Sequence, residues 1–457
     1  MRHKPELLLP AGNLEKLRYA FLFGADAVYA GQPRYSLRAR NNEFQLEQLA
    51  AGIEHAHALG KKFYVASNLL AHNAKVKTYL RDMEAVIERS PDALIMADPG
   101  LIGLVRERWP GMPIHLSVQA NTVNHAAVKF WQAVGLTRVI LSRELSLNEI
   151  EEIRQQCPDM ELEVFIHGAL CIAYSGRCLL SGYFNHRDAN QGTCTNSCRW
   201  EYTLHPGQED ASGPLDRRPA AAIGSDGTVR HPLADGLYLL EEAGRPRQLM
   251  PIIEDEHGTY ILNSKDLRGA EHVERLVKLG IDSLKIEGRT KSTYYVARTA
   301  QVYRRAIDDA AQGRPFDPRG LSDLESLASR GYTAGFFDRH APEVHQNYLQ
   351  GHSESHQAQY VGDIVAHDAA TGLSLVWVKN RFQVGDWLEI MHPSGNRRFQ
   401  LTHMTDEDRS PVSEAPGSGY RVRIPLDHAL EDGLVIRLTA PPEKHLPGMT
   451  RSPTEGA

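Results

Sequence analysis

Short apolar or β-branched runs punctuate the first two thirds of the chain, at residues 7–10, 27–30, 63–67, 93–97, 114–118, 138–142, 162–167 and 283–287. Between most of them the apolar positions take helical spacing. The first interval shows the logic: Asn13 is placed to cap, Leu14, Leu17 and Phe21 form one stripe, and Gly24 suits the left-handed turn that stops a helix. Eight strands alternating with helices predict a TIM-type (β/α)8 barrel.

Successive runs begin about 20 to 36 residues apart up to the seventh, and the gap before the eighth is about 120. The extra length is therefore one insertion after strand seven, residues 171–265, inside a barrel domain spanning 1–313. Within it, residues 201–205 read as a strand, a Pro-, Gly-, Ser- and Asp-rich stretch to about 235 reads as a loop, and 250–254 with 259–262 read as a hairpin. A helix carrying Val273, Leu276 and Val277 and another over 292–313 carrying Val296, Val302, Tyr303 and Ile307 complete the pattern. Residues 314–355 read as a connector. From 357 to 439 the period changes to two, with Gly- and Pro-containing turns, which predicts a small C-terminal antiparallel β-barrel at 356–440. The tail, 441–457, is Pro-rich and apolar-poor and reads as disordered.

Four of the five cysteines, Cys171, Cys178, Cys194 and Cys198, open the insertion, with six, fifteen and three residues between them. Thiolates gathered this closely repel one another unless a metal neutralises them. The spacing leaves an iron–sulfur cluster, structural zinc and a group of buried thiols open. In barrels of this type chemistry sits at the C-terminal ends of the strands, so a metal site beginning at Cys171 should roof the mouth.

The strand ends supply polar residues beyond what a packed barrel needs: Asn68, Asp98, Gln119, Asn121, Arg143, Glu144, His167, Lys285, Glu287 and Arg289. Lys285, Glu287 and Arg289 alternate, so they are expected to share a face, either as an anion site with Glu287 offsetting one cation or as a closed ion-pair network. His167 is a candidate proton carrier or hydrogen-bond donor to a cluster sulfur, or else a buried histidine bonded to backbone. Arg38 and Arg40, on the loop after strand two, are expected either to reach an anion or, more often for such residues, to form a solvated face. In the C-terminal domain Lys379, Arg381, Arg397, Arg398, Arg421 and Arg423 are interleaved with Trp377, Phe382, Phe399 and Tyr420, a composition that suits RNA phosphates and unpaired bases and equally suits a core with a solvated face.

Composition narrows the classes. With 42% apolar and 24% charged residues over 457 positions the chain is an ordinary globular protein of two or three domains. Its net charge of −6 means that any nucleic acid must meet a local basic face. No run is long and apolar enough to span a membrane and no signal core opens the chain, so a cytoplasmic location is expected. Signatures of zinc and serine hydrolases and of P-loop proteins are absent from the sequence.

Glu163, Phe165, His167, Gly168, Ala169, Leu170, Cys171, Gly176, Cys178 and Ser181 together resemble the defining motif of the collagenase-like peptidase family. Asn263, Ser264, Lys265, Asp266 and Leu267, then Leu284 through Arg289, are similar to a second motif, and the opening Leu8 to Gly12 and Asp26 to Tyr29 also match. The resemblance implies oxygen-independent hydroxylation with a 4Fe–4S cluster held by Cys171, Cys178, Cys194 and Cys198. In some members a ligand follows the second motif where this chain has Arg268. The C-terminal segment from Phe382 to Ile390 resembles the second-domain barrel of translation GTPases, which favours the members that convert the wobble uridine of tRNA anticodon stem-loops to 5-hydroxyuridine with prephenate as cosubstrate. Under that reading Lys265, Lys285 and Arg289 are candidates for binding the small anionic cosubstrate, and His167 and Glu287 are the candidate catalytic groups. Two other classes remain: a peptidase with structural zinc, and a non-catalytic RNA-binding scaffold.

Overall fold

The computed structural model describes residues 3–32, 34–37, 44–170, 265–327, 331–338, 358–426 and 428–439, with the backbone of five short strands between 207 and 260. They fall into two compact units, 1–324 with 328–354, and 325–327 with 355–457.

In the first unit β1 (Glu6–Pro10), β2 (Ala27–Gly31), β3 (Lys62–Ser67), β4 (Ala93–Met96), β5 (Ile114–Leu116), β6 (Arg138–Ile140), β7 (Glu161–Ala169) and β8 (Ser283–Ile286) run parallel in sequence order. β8 pairs with both β7 and β1, which closes the ring into the expected eight-stranded barrel. Its strands are buried on both faces, so they read as apolar runs rather than alternating ones.

The intervening helices are α1 (Leu14–Leu22), α2 (Leu46–Ala58), α3 (Asn73–Ile87), α4 (Pro99–Arg108), α5 (His125–Ala133), α6 (Leu147–Gln156), α7 (Val273–Lys278) and α8 (Thr293–Ala311). Asn13 caps α1 by accepting from the backbone N–H of Lys16 at 3.0 Å, and Gly24 takes φ +109° beyond its end. Ser146 and Glu149 form a capping box on α6. Helix α8 buries Val296, Val302, Tyr303 and Ile307.

Strand β7 is longer than its neighbours because its last residues meet the chain returning from the insertion. Asp266–Arg268 pairs antiparallel with His167, Gly168 and Ala169, and Tyr332–Thr333 adds to its other edge in parallel. The stretch read as a connector therefore carries structure over its described part: helix α9 (Arg319–Glu325), this strand, and the Phe337 carbonyl accepting from the Leu147 N–H at 3.1 Å. Of the insertion, the hairpin forms between Leu249–Asp255 and Gly258–Tyr260.

The second unit is an antiparallel sheet curled as a half-barrel. Its strands are β9 (Ala358–Asp368), β10 (Leu373–Val378), β11 (Trp387–Met391), β12 (Arg397–Gln400), β13 (Thr405–Asp406), β14 (Arg421–Pro425) and β15 (Leu434–Leu438), in the order β12-β11-β15-β9-β10-β14-β13. Val361, Val376, Phe382, Leu388, Ile390, Ile424 and Val435 form its core. Among the described residues no helix is long and apolar enough to cross a membrane.

Candidate active site

The barrel bore holds a charge network rather than an all-apolar fill. Glu163 on β7 is fully buried and receives the Lys285 ammonium at 2.7 Å and the Arg138 guanidinium at 3.1 Å. Arg138 also reaches Glu6 at 2.7 Å, and Glu6 accepts from the Tyr64 hydroxyl at 2.6 Å and from Ser283 at 3.0 Å. His115 stands edge-on to Tyr64, 4.7 Å between ring centres, and burial holds it well below the usual imidazole pKa. Every charge in this set has an opposite partner, the condition under which burial is tolerated. Lys285 thus belongs to the closed ion-pair arrangement with Glu163, not to a pair with Glu287. Burial pulls its pKa down and Glu163 pulls it back.

Above the network, toward the C-terminal ends of the strands, cations lie on aromatic rings. The Lys285 ammonium sits 4.3 Å from the centre of Tyr29 and 5.4 Å from that of Phe165. Arg289 lies 5.8 Å from the Tyr29 ring and donates to the Leu37 carbonyl at 2.6 Å. Arg143, just past β6, lies 4.1 Å from the Phe165 ring and donates to the Ala169 carbonyl at 2.6 Å. So Lys285 and Arg289 do converge, through Tyr29 and not through a shared strand face. The strand ends at Ile286, and Gly288 at φ +147° breaks the alternation expected of Lys285, Glu287 and Arg289. No hydrogen bond or ion pair among the described residues joins Lys265 to them.

His167 and Glu287 are brought together by backbone. The Glu287 N–H donates to the His167 carbonyl at 2.9 Å, and the Ala169 N–H donates to the Glu287 carboxylate at 3.4 Å. An extra residue in β7 opposite Lys285 and Ile286 sets His167 in register with Ile286, so its ring turns under α8 instead of into the bore. There its Nδ1 meets the Tyr303 hydroxyl at 3.1 Å, while that hydroxyl donates to the Ile166 carbonyl at 3.0 Å. The rings of Tyr295, Tyr303 and Tyr332 surround it at 5.6, 5.5 and 5.4 Å. Burial, aided by Lys291 and Arg268, draws the His167 pKa down to about 3, so it is neutral near pH 7. Gly168 next to it takes φ +113°, and a Cβ there would stand 2.6 Å from the Glu287 carbonyl oxygen, so only glycine fits between β7 and this turn.

Several other strand-end residues are engaged in the scaffold. Both Asp98 oxygens accept backbone N–H groups, from Leu101 at 3.0 Å and Ala71 at 2.9 Å. Asn68 joins the Leu37 N–H at 3.2 Å to Ser117 at 3.2 Å, and Glu144 accepts from Ser142. Gln119 lies in a short 3-10 turn and Asn121 caps it at φ +52°. Cys171, Cys178, Cys194 and Cys198, with Arg38 and Arg40, lie outside the described residues. Sequence reasoning did not single out Arg138, Glu6, Tyr29 or Tyr303 for the site. The available signal was a charge or phenol inside an apolar strand run, as with Arg138 before Val139 and Ile140.

In the second unit the aromatics divide. Phe382 is core and Phe399 packs against it, whereas Trp377 and Tyr420 are exposed at 45% and 55%. Lys379 lies 4.0 Å from the Trp377 ring, and Arg421 is Trp377's partner across β10 and β14. Lys379 also meets Asp363 at 3.4 Å and Arg421 meets Glu407 at 3.2 Å.

Residues 12–347 match peptidase family U32 and residues 356–437 match the peptidase family U32 C-terminal domain, and the chain belongs to this family. Among its relatives, "tRNA hydroxylation protein P" of Escherichia coli is 60% identical over 438 residues, covering 94% of this chain and 95% of that protein. A protein of the same name from Haemophilus influenzae is 56% identical, covering 95% and 96%. A 23S rRNA 5-hydroxycytidine synthase of Escherichia coli is 31% identical over 82% of this chain and 48% of its own length.

Proposed function

We propose that this protein is a tRNA-modifying enzyme that hydroxylates the wobble uridine of anticodons to 5-hydroxyuridine, in the cytoplasm, with prephenate as cosubstrate. The observation that carries the reading is the end-to-end identity to tRNA hydroxylation protein P, which spans both the barrel and the C-terminal unit.

The donor chemistry of Cys171, Cys178, Cys194 and Cys198 fits a 4Fe–4S cluster: four soft thiolates with no histidine or carboxylate needed to complete the set. Such a cluster supplies electron transfer or an acidic iron when bound. The chain's own residues do the rest. Arg289 over Tyr29 is the cation at the mouth suited to an anionic cosubstrate, and Lys285, a further candidate from the sequence, would have to share its charge between that anion and Glu163. Lys265, beside the second motif, is the third candidate for that contact. Glu287, set against the end of β7, is the carboxylate available to hold or move a proton at the mouth. Neutral His167 anchors β7 through Tyr303 and orders the backbone that leads to Cys171. A uridine must leave its stack to enter such a barrel, and in the second unit Trp377 and Tyr420 with Lys379 and Arg421 are groups suited to hold unpaired nucleotides of the tRNA.

The test is anaerobic purification followed by iron, sulfide and zinc analysis and an assay on unmodified tRNA with prephenate. About four irons and four sulfides per chain, lost in Cys171→Ala, with prephenate-dependent 5-hydroxyuridine formation are expected. Stoichiometric zinc without sulfide, or hydrolysis of collagen-like peptide by iron-free protein, would overturn the reading.

A further inference from the structure

The outward face of the C-terminal sheet carries a cation without a counter-charge. Side chains alternate across a strand, and Val376 and Val422 point into the core, so Leu375 and Trp377 on β10 and Arg421 and Arg423 on β14 point away from it. The register sets Trp377 opposite Arg421, and places Leu375, Arg423 and Thr405 of β13 in the next row. Lys379 meets Asp363 at 3.4 Å, Arg421 meets Glu407 at 3.2 Å and Arg409 meets Asp368 at 3.4 Å. Arg423 makes neither an ion pair nor a hydrogen bond among the described residues, and its neighbours across the ladder, Leu375 and Thr405, are uncharged.

This guanidinium is held by packing of its stem. Its Nε is buried without a hydrogen bond and the residue is half-buried, whereas its two Nη groups are not buried. A fork fixed in this way loses little freedom when it takes an oxyanion in two charge-assisted hydrogen bonds. Its surroundings say which oxyanion. Trp377, 45% exposed, is the diagonal neighbour of Arg423, about 7–8 Å away in an antiparallel pair. Lys379, which follows Trp377 along the chain, covers one face of the indole at 4.0 Å, and Leu375 precedes it, so the remaining face lies toward the row of Arg423. A stacking surface and a lone guanidinium at that spacing suit one nucleotide, with its base on the indole and its phosphate on the fork. An acidic peptide would use the guanidinium and leave the indole bare. A duplex offers phosphates but keeps its bases stacked on one another.

We propose that Arg423 and Trp377 form a subsite for one unpaired nucleotide of the tRNA, Arg423 holding the phosphate and Trp377 the base. This rests on the tRNA reading above and deepens it by adding Arg423 as the phosphate contact.

The experiment is titration of anaerobically prepared holoprotein with unmodified tRNA, a single-stranded RNA oligonucleotide and an RNA duplex of equal length, each over a range of salt. Thermal unfolding and iron content are measured on the same samples. Arg423→Gln should bind tRNA and the single strand roughly tenfold more weakly, the loss of charge-assisted hydrogen bonds to one phosphate. The slope of log affinity against log salt should become shallower by about 0.7 to 1, and duplex affinity should not change. Arg423→Lys, which keeps the charge but not the planar fork, should keep the slope and lose part of the affinity, and it guards against a folding defect in the first variant. Combined with Trp377→Ala, Arg423→Gln should cost less than the sum of the two single losses, because both side chains hold one nucleotide. Unchanged single-strand affinity in folded Arg423→Gln overturns the inference while leaving the tRNA reading intact. So do a loss with an unchanged salt slope, an equal loss for the duplex, and losses that add fully in the double variant. No tRNA binding by wild type overturns the tRNA reading itself, and the subsite with it.

Discussion

Glu163 neutralises two cations, Lys285 and Arg138, with all three side chains buried. Removing one member of such a set leaves charge buried and unpaired. Glu163→Gln is expected to lower stability by about 3–5 kcal/mol in denaturant unfolding, because the amide keeps the shape but not the charge. Two buried imidazoles set the acid limit. His115 and His167 both have folded-state pKa values depressed by burial, His167 to about 3, against 6.5 for the free group. The unfolded chain therefore takes up protons first as pH falls. The stability they contribute is complete above about pH 6.5 and is lost as pH falls below it, for His167 down to about pH 3, with a slope near 1.4 kcal/mol per pH unit for each group that the unfolded chain has protonated and the folded chain has not. His167→Gln should remove one proton's share of that slope in urea titrations across the window. At this scale the sequence was legible where the cause is local, as with Asn13 at the α1 cap and Gly24 at its end. It was not legible where the cause is a distant partner: Glu163 stood out as part of a motif, but Lys285 lies 122 positions away.

Strand β7 is the element on which the site depends. Its first half completes the barrel with β6 and β8, and its last residues pair with Asp266–Arg268, so the two family motifs lie side by side. The bulge turns His167 outward to Tyr303, and Gly168 lets the Glu287 turn pass at close range. Gly168→Ala is expected to cost about 1–3 kcal/mol from the left-handed φ, with further loss from contact with the Glu287 carbonyl. Its signature is reduced thermal stability and, if Cys171 holds the proposed cluster, reduced iron retention, since the displaced backbone leads to Cys171. Eight apolar runs and the single long gap sufficed to read the barrel. The extension of β7 was not readable, because antiparallel pairing with a segment almost a hundred residues later leaves no mark in local periodicity. The alternation of Lys285, Glu287 and Arg289 misled for a related reason: Gly288 sits where the strand has already ended.

At the scale of the whole molecule the two units match the two U32 regions in turn, and the relatives named for tRNA hydroxylation cover both. The barrel mouth carries the candidate catalytic groups of the proposed reaction, while the curled sheet presents Trp377 and Tyr420 to solvent. If those rings stack on unpaired bases, Trp377→Ala should weaken tRNA binding by about 1–3 kcal/mol in filter or fluorescence titrations without changing iron content. The alternating period announced this sheet, and only the structure separated exposed Trp377 from buried Phe382, since both lie within two positions of a basic residue in the sequence. The measurement that bears most directly on the account is nucleoside mass spectrometry of tRNA from cells lacking their own wobble-uridine hydroxylase and supplied with this chain. Restoration of 5-hydroxyuridine by the wild-type chain, and its absence with Cys171→Ala produced at equal level, is the predicted result. Equal 5-hydroxyuridine with both chains would contradict a cysteine-bound cluster, and none with either would contradict tRNA hydroxylation itself.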